Sequence, residues 1–204
     1  MTNNIKQERR YRRTEALILN GLTTLLQQKS IKEITVRELA DLVDINRSTF
    51  YLHYTDIYDL LEKTEQRLLQ QLMDAVNENW TLPETPKNFF AFLEQTFNIL
   101  SENAQLCSAL IGPNGDIAFL RNIEKMIRDK GLQILRSFAP KELREQDLQY
   151  AISFALAGCV GLVEHWLKNG CPETPTHMAE LTLVMLREGT TSIGVPDITQ
   201  FAAH

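Results

Sequence analysis

Glycine is scarce in this chain, nine residues among 204, and no stretch has the spacing of a phosphate-binding loop. The His-Glu-x-x-His pattern of zinc hydrolases and the Gly-x-Ser-x-Gly elbow of hydrolytic nucleophiles are missing as well. These gaps argue against an enzyme. No cofactor or metal is expected, since His177 and His204 have no companions at ligand spacing. Cysteine is also sparse: Cys107, Cys159 and Cys171 are odd in number and form no Cys-x-x-Cys pair, so structural thiols in a reducing cytoplasm are expected. The charged start, Met1 to Arg13, contains no apolar run of the kind a secretory signal needs. The longest apolar stretch, Tyr150 to Val163, is interrupted by Ser153, Gly158 and Gly161. It is too short to span a bilayer, and no membrane association is expected.

What the chain does have is concentrated between residues 35 and 54. Thr35 and Glu38 stand at the spacing of a capping box, with Ile34 and Leu39 at the flanking staple positions, so a helix should start there. Asn46 can cap a second helix, with Ile45 and Phe50 as its staple. Only Val43-Asp44-Ile45 lies between the two, room for a sharp turn in which Asp44 takes a left-handed conformation. Helical spacing turns Leu39, Leu42, Val43, Phe50 and Tyr54 inward, and small Ala40 suits the crossing point. The outer face of the second helix is left with Arg47, Ser48, Thr49, Tyr51 and His53. A guanidinium, hydroxyls, a phenol and an imidazole can hydrogen-bond base edges and phosphates together, and no acid lies between Asn46 and His53 to oppose them. This pattern is a helix-turn-helix directed at double-stranded DNA.

Net charge, −5 overall, argues the other way until it is divided. Residues 1–54 carry nine basic against six acidic side chains, a balance of +3, and the remainder twelve against twenty, a balance of −8. A positive head on a negative body favours one docking face over the other. Arg9-Arg10-Tyr11-Arg12-Arg13 opposes the dipole of the helix it starts, so either a phosphate backbone or solvent must hold it. Arg37 has two readings too, a backbone clamp or a partner for Asp41 one turn on.

The run Thr49-Phe50-Tyr51-Leu52-His53-Tyr54, about thirty residues after the basic arm and just before a long helix, resembles the tetracycline-repressor (TetR/AcrR) family of bacterial regulators. The resemblance covers roughly residues 9–62. It implies a cytoplasmic homodimer that binds a palindromic operator, with Arg37, Asn46, Arg47, Ser48, Thr49, Tyr51, His53 and Thr55 as its DNA-binding set. In one respect the chain departs from the family, which usually places a Lys in the first turn after the signature. Here Thr55 and Ile57 occupy those positions, so a shallower salt dependence is expected.

Helices are expected throughout: an all-α chain with a three-helix DNA-binding domain at 1–55 and a helical regulatory and dimerisation domain at 56–204. The expected spans are 9–28, the helix-turn-helix, 57–80, 87–103, a short helix to 110, 116–138, 146–169 and 176–188, with Pro83, Pro86 and Pro140 at breaks. Within 146–169, small residues recur at i+4 (Ser153, Ala157, Gly161), which permits close helix approach, and Trp166 adds an anchor at the far end. The resemblance implies that the last two helices form a four-helix dimer seam there. Phe89, Phe92, Phe97, Phe119, Met126 and Phe154 fit either a plain core or an apolar ligand pocket. Repression of transcription, relieved by a small apolar ligand, is the expected function. The alternative is a DNA-binding factor whose C-terminal domain docks a protein partner.

Overall fold

A computed structural model describes residues 2–79, 89–138 and 142–191. In chain order these form α1 (Thr2–Leu26), a 3-10 turn (Ile31–Glu33), α2 (Val36–Leu42), α3 (Arg47–Tyr51), α4 (Ile57–Asn79), α5 (Phe89–Glu102), α6 (Ala104–Ile111), α7 (Ile117–Phe138), α8 (Glu145–Lys168) and α9 (Pro175–Thr191). The all-α expectation holds: no strand occurs among the described residues. Trp80 and the proline breaks at 83, 86 and 140 lie outside them. Two compact units result, residues 1–68 with 108–117 and residues 69–107 with 118–204.

The first unit packs α1, α2 and α3 around Ile18, Leu22, Leu26, Leu39, Phe50 and Leu60, all fully buried. Each such side chain contributes roughly 1.5–3 kcal/mol by leaving water. Gly21 allows the closest approach: a Cβ there would sit 2.5 Å from Val43 Cγ1 in the turn after α2. Asp44 takes the left-handed conformation expected of it, with φ 53°. The caps differ in one detail. Thr35 Oγ1 accepts from the Glu38 backbone N–H as a cap should, but the Glu38 carboxylate turns to the Lys29 ammonium instead of closing the box. A complete capping box forms one turn earlier, between Ser30 and Glu33. Leu42 does not face inward as its spacing predicts but is half exposed, because α2 ends at that residue and packs through Leu39 and Ala40.

In the second unit α5 packs along α9, and α8 also meets α9. Trp166 is buried edge-on to Phe97, and its indole N–H donates to the Glu173 carbonyl in the α8–α9 connection. Leu135 of α7 packs with Leu148, Ile152 and Leu156 of α8. α8 runs from Glu145 to Lys168, beyond the fourteen-residue apolar stretch in its middle. The whole helix has the length and composition to cross a bilayer, with a mean hydropathy of 1.4 over an eighteen-residue window of which 22% is buried, a test that core helices of soluble proteins also pass.

Candidate nucleic-acid interface

The reading helix is short. α3 spans five residues, Arg47 to Tyr51, and Asn46 caps it: Oδ1 accepts from both the backbone N–H and the hydroxyl of Ser48. Such a cap contributes about 1 kcal/mol, and it sets the direction in which α3 leaves the turn. It also engages Asn46 and Ser48 with each other. Arg47 and Tyr51 are exposed, Thr49 is half-buried, and Phe50 on the opposite side is fully buried under α1 and α2. Spacing alone thus separates a core face from a polar face within little more than one turn.

Leu52, which sequence reasoning passed over, is among the most exposed large apolar residues in the chain at 77%. No periodic partner marks it in the sequence, because it sits at the C-cap of α3, where the helical repeat stops. Beside Tyr51 it offers an apolar surface of the kind that meets a thymine methyl. His53 is placed differently from its neighbours. Its ring lies on that of Tyr11 from α1, with centroids 3.9 Å apart and planes 26° from parallel, and its Nδ1 is buried without a hydrogen-bond partner. Burial holds the imidazole below its ordinary pKa, the nearby Glu15 carboxylate only partly offsetting it.

Tyr54 closes the unit from beneath. Its hydroxyl donates to Glu15 Oε1, which also accepts from the Arg67 guanidinium on α4. Burial first, and then Glu15, push the Tyr54 phenol up to about 12. Lys63 lies over the same ring at 5.4 Å. At the start of α4 the Thr55 backbone N–H donates to Asp59, which also holds Lys63, while the Thr55 side chain stays exposed. Asp59 sits below the usual carboxylate range, chiefly through that backbone hydrogen bond. Arg37 is exposed and loosely paired with Asp41 at 3.7 Å, a contact worth little in water. On α1, Arg9, Arg10 and Arg13 are exposed, and Arg12 pairs with Glu8 one turn back.

The remaining expected positions lie in the second unit. Phe92, Phe97 and Phe119 are buried, with Phe89 stacked on Phe92, and Met126 is partly buried. Phe154 is not brought to them. At 78% exposure it stands on α8 in the wall of an open groove of about 690 Å³, with Tyr150, Gly158 and Leu162 of the same helix and Thr182 and Met185 of α9. Of the expected seam residues, Ala157 and Gly161 are exposed, and a Cβ built on Gly158 or Gly161 meets nothing within 4 Å. Ser153 Oγ accepts from Arg128, and Trp166 is buried in the chain's own core. Burial pushes the Cys107 thiol up to about 12 and the Cys159 thiol up to about 11.

Residues 87–188, half of the chain, match the TetR-type family model described as a transcriptional regulator C-terminal region. The chain belongs to the TetR family of transcriptional regulators. Regulators of this family bind DNA and act as dimers, and they are not enzymes. A 72-residue stretch is 33% identical to an uncharacterized HTH-type transcriptional regulator, YxbF, of Bacillus subtilis; the match spans 33% of this chain and only 19% of that protein. Among solved structures, a TetR transcriptional regulator from Streptococcus agalactiae matches over 90% of this chain and 98% of its own, at 21% identity and TM-score 0.57. A TetR-like regulator from Rhodococcus sp. RHA1 matches over 87% and 95%, at 15% identity and TM-score 0.62. At those identities the likeness concerns the fold.

Proposed function

We propose that this TetR-family regulator is a cytoplasmic repressor that binds a palindromic operator as a homodimer. The observation that carries the reading is the exposed polar face of α3, where Arg47 and Tyr51 project from a helix whose other side is fully buried. Arg47 suits a guanine edge, Ser48, Thr49 and Tyr51 suit bases or phosphates, and Arg37, Thr55 and the α1 arginines suit the backbone. Asn46 serves this set as the cap that aims the helix. One such helix covers a half-site, and two are needed to read successive major grooves about one helical turn apart.

The second copy is provided for by α8 and α9. Tyr150, Phe154 and Met185 are more than half exposed around the groove, and Ala157 and Gly161 leave room for close helix approach. Contiguous apolar surface of this kind marks an interface. Residues 1–55 act as the reading head and 56–204 as the regulatory and dimerisation body. Release by a small apolar ligand would act within that body, by repacking the buried Phe92, Phe97 and Phe119. The ligand can shift the equilibrium only by its preference for the released conformer, typically about 1–3 kcal/mol. Exposure of the groove also favours a second reading, in which a protein partner rather than a second copy or a small molecule meets the body.

Selection of bound fragments from the source genome, followed by sedimentation of the protein with and without the selected duplex, tests the reading. A pseudo-palindromic fragment holding two protomers is the expected result. Absence of any enriched fragment, or a monomer at micromolar concentration, would overturn it.

A further inference from the structure

Tyr11, at the centre of the arginine-rich segment of α1, meets the residues after the reading helix through its stack on His53 at 3.9 Å. One turn along the same face of α1, Glu15 accepts from Tyr54 and from Arg67. Tyr11 and Glu15, four residues apart, therefore dock one side of α1 against residues 53–54 and α4. Arg10 and Arg12 then project about a quarter-turn to either side of Tyr11, and Arg9 and Arg13 from the far side, at 100° per residue. The Glu15 anchor lies beyond the arginines, whereas the stack lies among them.

The stack also constrains His53. A buried Nδ1 without a partner disfavours a proton there, and burial holds the imidazole below its ordinary pKa, so both favour the neutral ring. A neutral, flat and partly desolvated ring is a good stacking surface, and the Tyr11 ring covers one of its faces.

We propose that His53 is a positioning residue for DNA binding: a platform on which Tyr11 stacks, so that the Arg9–Arg13 segment is held at a fixed angle to α3. The proposal rests on the reading of this unit as a DNA-binding head. It assigns the work of His53 to the flat ring and not to its nitrogens, and it gives Tyr11 a role in affinity without any contact to DNA. Because the arm holds phosphates and not bases, specific and random duplexes should suffer equally when the platform is lost.

The ring and its nitrogens are separated by comparing His53→Phe with His53→Ala, alongside Tyr11→Ala and the double variant Tyr11→Ala/His53→Ala. Each is titrated against the selected operator and a random duplex at several salt concentrations. We expect His53→Ala and Tyr11→Ala each to weaken both duplexes about 2- to 10-fold, the scale of one aromatic pair. The slope of log K against log salt should become shallower by about one to two. His53→Phe should restore affinity and slope, and the double variant should be no weaker than either single one. A His53→Phe protein as weak as His53→Ala, or additive losses in the double variant, would overturn the proposal in favour of direct contact through a ring nitrogen. Limited trypsin digestion without DNA reads the stack independently of function. Cleavage after Arg9, Arg10, Arg12 and Arg13 should quicken in His53→Ala and Tyr11→Ala but not in His53→Phe, and equal rates in all would overturn it. Should His53→Ala fail to fold by circular dichroism, Tyr11→Ala decides alone, its ring being half exposed. A wild-type protein that binds no duplex yet shows this digestion pattern would sink the proposed function and leave the stack standing.

Discussion

On α3 the uncovered side chains include Arg47, Ser48 and Tyr51, while in the middle of α8 they include Tyr150, Phe154, Ala157 and Gly161. Both helices bury their other face, Phe50 in one case and Leu148, Ile152 and Leu156 in the other. What differs is the surface each helix leaves for something else to meet. A polar, hydroxyl-bearing face with an unopposed arginine suits a wet, charged surface, whereas an apolar face stepped with small residues suits another protein surface of matching shape. On the proposed reading the difference separates two tasks, meeting DNA and meeting a second copy.

The largest effect should come from putting charge on the α8 face. Phe154→Asp would bury two carboxylates, one from each copy, if that face is a seam between subunits. An unpaired buried charge costs several kcal/mol, so sedimentation should report monomers, with operator affinity falling roughly 100-fold or more. An unchanged dimer would place the seam elsewhere and leave the groove to a different partner.

Next in size is a break inside the head. With a Cβ on Gly21 already 2.5 Å from Val43 Cγ1, Gly21→Val forces α1 away from the α2–α3 turn at a cost of roughly 2–3 kcal/mol, by overpacking. Thermal unfolding followed by circular dichroism should show a lower midpoint, and Val43→Ala in the same chain should recover part of it. If Gly21→Val melts like wild type, the close approach is not tight in solution.

Arg47→Ala and Tyr51→Phe probe the other face. Each should weaken specific operator binding by roughly 1–3 kcal/mol, the scale of a lost base or positioning contact, with fold and assembly unchanged. Mobility-shift titrations at fixed salt would show no change if neither side chain touches DNA, and α3 would then lose its assignment.

These contrasts were unevenly legible in the sequence. The helix-turn-helix was readable because its signals are local: the Thr35 and Asn46 caps, the left-handed Asp44 and the inward spacing of Leu39 and Phe50 all lie within a few residues of one another. Leu42 misled because helical spacing assumes that the helix continues, and α2 stops there. In the C-terminal half, helix spans were recovered to within a few residues, but which apolar residues would be covered was not. Phe154 and Trp166 lie on one helix and both look like core, yet one is 78% exposed and the other 2%. The cause is tertiary, since α9 and Phe97 cover the far end of α8 and nothing in the described chain covers Phe154. The Tyr11–His53 stack spans more than forty residues of sequence, and no local pattern could announce it.

The smallest effect concerns a carboxyl group that belongs to neither face. Glu65 on α4 has its Oε1 buried without a hydrogen-bond partner, and burial, with Asp116 and Glu62 nearby, raises its pKa from 4.5 to about 7. A raised folded value means that the native state takes up this proton more readily than the unfolded chain. The associated stability is therefore fully present below the unfolded value and is lost as pH rises from about 4.5 through 7. Replacing the acid by a neutral amide removes that loss. Glu65→Gln should stabilise the protein by about 1 kcal/mol at pH 8, the shift being discounted because the group is only partly buried, and the gain should vanish near pH 4.5. Paired melts of wild type and variant across this range measure the difference directly. A gain that is flat with pH would mean that the amide acts by hydrogen bonding or packing, and that Glu65 is ionised in the folded protein at neutral pH.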